Sequence, residues 1–291
     1  MAEEAQSGGS AGIGVFRNLF RRACQCWFAL WLVVCMFWCY VGCYVGYHLL
    51  PGSTPTKQMR ACYVCHYTFK YLLLFPVPWI QVSTPPEEEI LRLLDRQRVF
   101  LLMNHTSYLD SIIFVGHFPP KVLRRYRTLM KASLFQLPLL GFISQCVGHF
   151  PVYFLTPRPE EFGVDKVKQT EVMLQVNSYI ENGGCLSMFP EGMVGKVPGE
   201  LLPFRRGTFT LAHKTDMPVV SLAMNGNYHA WPRKSVIGGF PSMVTMKLSE
   251  VVESNHGLTP DELLEKSSKI MQDDLNSLFS RKEVALGKKD L

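Results

Sequence analysis

The chain has 291 residues, of which 47% are hydrophobic and 19% charged, with a net charge of +6. That length allows one sizeable core or two small ones, and the sequence shows neither an internal repeat nor a low-complexity tract beyond its N-terminus, which excludes solenoids and fibres. Seven of the nine cysteines fall at or before residue 65, five of them in or beside an apolar segment, so they read as small apolar side chains and exclude a disulfide framework.

In chain order, residues 1–14 are small and polar with Gly and Ser, and are expected to be disordered; residues 1–22 are read as a disordered, basic N-terminus. From Cys24 to Leu50 no Asp, Glu, Lys or Arg occurs. The core of this stretch, "WFALWLVVCMFWCYVGCYVGY" at 27–47, has the length a membrane-crossing helix needs, roughly 20 residues. A secretory signal would have a shorter apolar region and a small-residue cleavage site. A second apolar stretch at 61–80 carries His66 and Lys70 and breaks at Pro76 and Pro78. It is expected as a partner helix folded back at the interface, with Lys70 reaching toward the headgroups. Residues 23–80 thus form the expected membrane-embedded helical part. Arg17, Arg21 and Arg22 before it and Lys57 and Arg60 after it share one side if the two stretches form a hairpin. Cys62, Cys65 and His66 have half of a zinc-site spacing without a second half, so no metal site is expected.

Residues 81–291 are expected to form one α/β domain. Helix and strand signals alternate: a helix at "EEEILRLLDRQR", a buried strand at "VFLLM", a short helix at "SIIFVGHF", a strand near "YRTLM" and a helix through "SLFQLPLLGFISQ". "GHFPVYF" reads as an edge strand because of Pro151. A helix from Gly163 to Asn182 stops at Gly183 and Gly184. The strand "CLSMF", a helix near 205–214 and the strands "PVVSLAM" and "MVTMKLSE" follow. Thr259, Pro260 and Glu262 form a capping box for a last helix to about Phe279. Such alternation implies a mixed or largely parallel sheet flanked by helices, with the ligand site beyond the carboxyl ends of its strands. Two polar motifs sit at such ends: "NH" after "VFLLM" and "FPEG" after "CLSM".

His105 and Asp110 are five residues apart, about 500° along a continuous helix, so they cannot pair on one helix face. They pair if the helix starts between them, with Thr106 or Ser107 as its cap and Asp110 reaching back from the first turn. The carboxylate then fixes one ring nitrogen as N–H and frees the other as a general base. Ser107 as a nucleophile, in a hydrolase, lacks the strand–turn–helix setting that exposes a serine. A base without its own nucleophile suits a reaction whose nucleophile arrives with the substrate.

The blocks "NHTSYLD" (104–110), "KASLFQLPLLG" (131–141), "FPEG" (189–192), "LPFRRGTFTLA" (202–212) and "MPVVSLAM" (217–224) together resemble the glycerolipid acyltransferases, the family that includes 1-acylglycerol-3-phosphate acyltransferases. The resemblance implies acyl transfer from acyl-CoA, a co-substrate, to a lysophospholipid hydroxyl, with no metal, no other cofactor and no covalent acyl-enzyme. His105 would be the base and Asp110 its orienting acid. Asn104, Phe189, Pro190, Glu191 and Gly192 would contribute to substrate binding, with Glu191 holding the glycerol. Lys131, Arg205 and Arg206 would face phosphate or the developing oxyanion. Two departures bear on the acceptor: Tyr153 and Phe154 stand near where the family has a phosphate-binding arginine, with Arg158 arriving late, and Met193 replaces a threonine after "PEG".

Between Ser111 and Pro159 there are six Lys or Arg residues and no acid, concentrated in "KVLRRYRTLMK". Anionic lipid or phosphate fits this run and agrees with the apolar segment, and nucleic acid is not expected. Two other readings stand beside the acyl-CoA enzyme: a CoA-independent transacylase, or an acyltransferase remodelling another lysophospholipid, and a non-catalytic membrane adaptor. The expected location is the endoplasmic-reticulum membrane with the domain in the cytosol; "KKDL" at the C-terminus is a loose echo of a retention signal.

Overall fold

The computed structural model describes residues 2–156 and 163–286, with side chains described over 15–156 and 163–279. Arg158 and the terminal "KKDL" lie outside these residues. In chain order the elements are α1 (Ala2–Tyr44), extended by a π-helical turn, α2 (Thr54–Thr68), extended likewise to Leu74, β1 (Ile80–Ser83), α3 (Glu87–Leu94), β2 (Phe100–Met103), α4 (Asp110–His117), α5 (Pro120–Leu123), β3 (Tyr126–Lys131), α6 (Leu140–Val147), β4 (Phe150–Val152), α7 (Lys166–Glu181), β5 (Cys185–Met188), α8 (Arg206–Thr215), β6 (Val219–Asn225), α9 (Asn227–Ala230), β7 (Ser242–Val252) and α10 (Pro260–Leu286).

Seven strands form one sheet in the order β1-β7-β6-β2-β5-β3-β4. Every pairing is parallel except β6 with β7. This is the expected mixed, largely parallel sheet. The uninterrupted apolar run of β2 lies at its centre because both faces are covered. Leu101 and Met103 enter one core, shared with α1, α2 and α4. Phe100 and Leu102 enter the other, under α7, α8 and α10. Each such side chain contributes roughly 1.5–3 kcal/mol on burial. β2 lies between β5 and β6, so the residues that leave the carboxyl ends of these three strands are neighbours.

Pro151 sits in the edge strand β4, where its missing N–H costs no ladder bond. Thr259 and Glu262 close the expected capping box, with Thr259 N–H on Glu262 Oε2 at 2.7 Å and Glu262 N–H on Thr259 Oγ1 at 3.2 Å. The helix expected through 133–145 is broken: a 3₁₀ turn covers Ala132–Gln136, and Pro138 separates it from α6.

Two expectations about the N-terminal quarter are corrected. The boundary at residue 22 vanishes, because α1 is continuous from Ala2; no proline interrupts the first 50 residues, and Ala, Glu and Gln at its start favour a helix. The break at 80/81 is also absent. α2 packs on α4, α5 and α6, and buried His66 bonds Val115 O at 2.9 Å, so the second apolar stretch is in contact with the α/β domain along its length.

α1 keeps its expected character. Val15–Leu49 is, among the described residues, the one helical stretch long and apolar enough to cross a membrane, and only 22% of its most apolar window is buried. Phe16, Leu19, Phe20, Leu30, Val33, Phe37 and Trp38 are exposed along it. Its other face carries Cys35, Cys39 and Cys43 at helical spacing into the core, where Cys39 and Cys43 meet Cys65 of α2 with all three sulfurs within 4.8 Å.

The basic run at 121–131 is largely spent inside the fold. Lys121 and Arg125 face Asp95 at 3.9 and 3.3 Å. Arg127 is buried and donates to the carbonyls of Arg124 and Tyr126 and to Cys62 Sγ, tying β3 to α2. Next to it, His149 Nδ1 accepts Thr128 N–H at 3.0 Å, and burial, then the Arg127 guanidinium, push its pKa from 6.5 down to about 3. The unfolded chain therefore takes up this proton first as pH falls. The stability His149 contributes is complete above about pH 6.5 and is lost toward pH 3. Denaturant titrations should show stability falling across that window, and His149→Gln should remove up to about 1.4 kcal/mol per pH unit of the slope.

Candidate active site

β2 ends at Met103, and the chain turns immediately. Asn104 is fully buried and spans to β6, its Nδ2 donating to Met224 O at 2.9 Å and its Oδ1 accepting Met224 N–H at 2.7 Å. One side-chain amide thus replaces the ladder bonds that the departing strand no longer makes. The turn leaves His105 at the sheet's carboxyl edge with a side chain 21% exposed.

His105 Nδ1 lies 2.9 Å from Asp110 Oδ2. The same oxygen accepts the N–H groups of Thr106 at 2.9 Å and Ser107 at 3.0 Å. Oδ1 accepts Asn227 Nδ2. The helix does begin inside the motif, at Asp110 itself and two to three residues later than expected; the chain between folds around the carboxylate, while Ser107 Oγ accepts Leu109 N–H. With every contact a donor, Asp110 acts as an acceptor, so Nδ1 carries the ring hydrogen and Nε2 is left as a lone-pair acceptor. Asn227 carries no signal in the sequence. It lies in the one-turn helix after β6, and only the β2–β6 pairing brings it to Asp110.

The "FPEG" block arrives from β5. Phe189 stacks on the imidazole, ring centres 4.1 Å apart and planes inclined by 24°. Pro190 O accepts Arg205 N–H at 2.8 Å. Glu191 is fully buried, and its oxygens accept His105 N–H at 2.8 Å and Leu202 N–H at 2.9 Å. Burial raises its pKa, while those two N–H groups and the nearby imidazole oppose the rise. Gly192 turns the chain at φ +71°, which a side chain would strain. Gly195 N–H then donates to His105 O at 2.6 Å. His105 is therefore gripped at its N–H, its carbonyl, its ring face and its Nδ1.

Several residues expected to meet substrate have other work. Asn104 and Glu191 are enclosed with both polar atoms bonded to backbone, so they shape the site rather than line it. Arg206 forms a bidentate pair with Asp261 of α10, at 2.7 and 3.0 Å, which engages the cation intended for phosphate. Ser107 is buried with its Oγ donating to Trp231 O at 3.0 Å and accepting Leu109 N–H at 3.2 Å, which removes it as a nucleophile. Lys131 closes β3 with an exposed side chain, and Arg205 opens α8 with Nε 3.4 Å from Glu191 O.

Residues 86–225 match the family model described as Acyltransferase. The chloroplastic 1-acyl-sn-glycerol-3-phosphate acyltransferase of Brassica napus is 28% identical over 134 residues, 45% of this chain and 34% of that protein. An enzyme of the same name from Cocos nucifera is 24% identical, covering 60% of this chain and 56% of its own. That from Saccharomyces cerevisiae is 27% identical, covering 64% and 57%. The match thus spans about a third to somewhat over half the length of these relatives. The crystal structure of the 1-acyl-sn-glycerophosphate acyltransferase PlsC of Thermotoga maritima superposes with a TM-score of 0.71 at 17% identity, over 90% of this chain and 98% of that one, and so shares the fold.

Replacing Asn104 by Ala leaves two buried backbone groups of Met224 without partners. A loss of about 2–6 kcal/mol is expected in thermal or denaturant unfolding, on the usual 1–3 kcal/mol per orphaned group. Asn104→Asp should not restore it, because a carboxylate cannot donate to Met224 O.

Proposed function

Since residues 86–225 form a domain of the acyltransferase family, we propose that the protein transfers an acyl group from acyl-CoA to the free hydroxyl of a lysophospholipid, 1-acylglycerol-3-phosphate in the first instance, giving phosphatidate. The observation that carries this reading is the His105–Asp110 pair with Nε2 unencumbered and no protein nucleophile beside it.

In the proposed reaction Nε2 of His105 takes the proton of the acceptor hydroxyl as its oxygen attacks the thioester carbonyl carbon. The tetrahedral adduct collapses, the C–S bond breaks, and the CoA thiolate takes the proton back from the imidazolium. A new ester and free CoA result. Asp110 supports the transient cation at Nδ1, and Asn227 holds the second carboxylate oxygen so that the group cannot swing away. Phe189 fixes the ring plane. Lys131 at the end of β3 and Arg205 at the start of α8 are the cations assigned in this proposal to the acceptor phosphate or the oxyanion. The relatives' names support the acceptor; Tyr153, Phe154 and Met193 are where this chain departs from the family's usual phosphate-binding pattern.

The exposed apolar helix α1 supports work at a membrane, where both substrates partition. Within this proposal the domain faces the cytosol from the endoplasmic reticulum, with Arg17, Arg21 and Arg22 on the same side as the domain.

A panel of lysophospholipids with one labelled acyl-CoA tests reaction and acceptor together. Labelled phosphatidate from lysophosphatidate is the expected product; labelled product from another headgroup alone would reassign the acceptor, and phospholipid acyl exchange without CoA would favour the transacylase. His105→Ala should lower kcat by about 10²–10⁴. Equal transfer by wild type and mutant would leave only the adaptor reading. Asn227→Ala should lower kcat by about 10–100-fold with little change in KM, on the scale of other residues that orient a catalytic ligand.

A further inference from the structure

The segment after α9, residues 231–241, joins two parts of the molecule. At its start it serves the site, with Trp231 O holding Ser107 Oγ. Further along it lies on α1. Gln25 Nε2 donates to Ile237 O at 3.2 Å, Phe28 meets Trp231 edge-on at 5.6 Å, and the Arg21 guanidinium stands 4.7 Å over the Phe240 ring. Gly239, at φ +100°, approaches Phe28 so closely that any side chain there would collide with it.

Between this segment and α1 opens a notch of about 480 Å³, whose lining includes Asn18, Leu19, Arg21, Arg22 and Phe240. Arg21 and Arg22 give it its charge. Neither side supplies a counter-charge: no Asp or Glu occurs from residue 5 to 86 or from 217 to 249. The cations are bordered by apolar surface. Phe16, Leu19 and Phe20 are exposed on α1, and Val236, two residues after Lys234, is 98% exposed at the tip of the loop.

We propose that this notch is a headgroup site for an anionic phospholipid of the bilayer that α1 contacts. The phosphate lies against the guanidinium forks of Arg21 and Arg22, which suit its oxygens in paired hydrogen bonds. Asn18 offers a neutral donor. The acyl chains follow the exposed apolar side of α1, and Val236 enters the interface beside Lys234. A zwitterionic headgroup brings its own cation up to the Arg21 and Arg22 guanidinium groups, whereas an anionic one does not. The basic run at 121–131 is no rival, since Asp95 and backbone carbonyls already engage much of it. The site is independent of which acceptor the enzyme uses.

Full-length protein in mild detergent, titrated with phosphatidylglycerol or phosphatidylcholine and read by native mass spectrometry, tests it. One phosphatidylglycerol should be retained with at least about tenfold preference over phosphatidylcholine, and excess inorganic phosphate should not displace it. Arg21→Gln with Arg22→Gln should weaken retention about 20–30-fold, at roughly fivefold per surface cation. Lys121→Gln with Arg124→Gln should leave it unchanged. Equal retention of the two lipids, wild-type retention by the Arg21, Arg22 variant, the same loss in the Lys121, Arg124 variant, or displacement by inorganic phosphate would each overturn the proposal. The comparison of the two lipids on the wild-type protein decides the matter even if the double variant fails to fold.

Discussion

The arrangement at the carboxyl edge of the sheet depends on one buried carboxylate. Asp110 is fully buried, and its two oxygens collect the N–H groups of Thr106 and Ser107, the imidazole of His105 and the amide of Asn227. A charge in that position is tolerable only when hydrogen-bonded on all sides. The chain from Asn104 to Asp110 is accordingly folded around it, and the imidazole orientation follows from the same requirement. Catalytic geometry and the solution to a desolvation problem are here one set of bonds.

A second carboxylate works the same way from the other strand. Glu191 bridges the backbone of His105 to that of Leu202, so the turns leaving β2 and β5 are fixed to each other and to the loop before α8. Asn104 does the equivalent for β2 and β6. The three central strands thus present one rigid edge, and His105 stands on it with its ring held at Nδ1.

Much of this was legible in the sequence, for physical reasons that can be named. The run "VFLLM" announced a strand buried on both faces, and its termination in Asn104 and His105 marked the functional edge. The five-residue interval to Asp110 demanded a helix start between the two. What single side chains would bond to was less legible. Asn104, Glu191 and Arg206 are polar residues in a family motif, and such residues can meet substrate or backbone equally well; only the placement of Met224, Leu202 and Asp261, 120, 11 and 55 positions away, decides. Asn227 was invisible for the same reason. At the N-terminus, apolar content alone could not separate α1, which keeps an outward face, from α2, which is in contact with the α/β domain along its length. His66 and Lys70 gave a hint, since a buried histidine needs a fixed partner and Val115 O supplies it.

The enclosure of Glu191 has a consequence for how such an enzyme can change. With both oxygens committed to backbone, Glu191 holds the "FPEG" turn in place. Acceptor choice then rests on side chains outside the clamp, such as Lys131 at the end of β3 and Tyr153 just past the edge strand β4. Those positions lie at the rim of the sheet, where substitution disturbs neither the central strands nor the imidazole. Under the proposed function, a lineage could therefore trade one lysolipid for another while the His105–Asp110 pair stayed untouched, and a designer seeking new acceptors would begin at that rim.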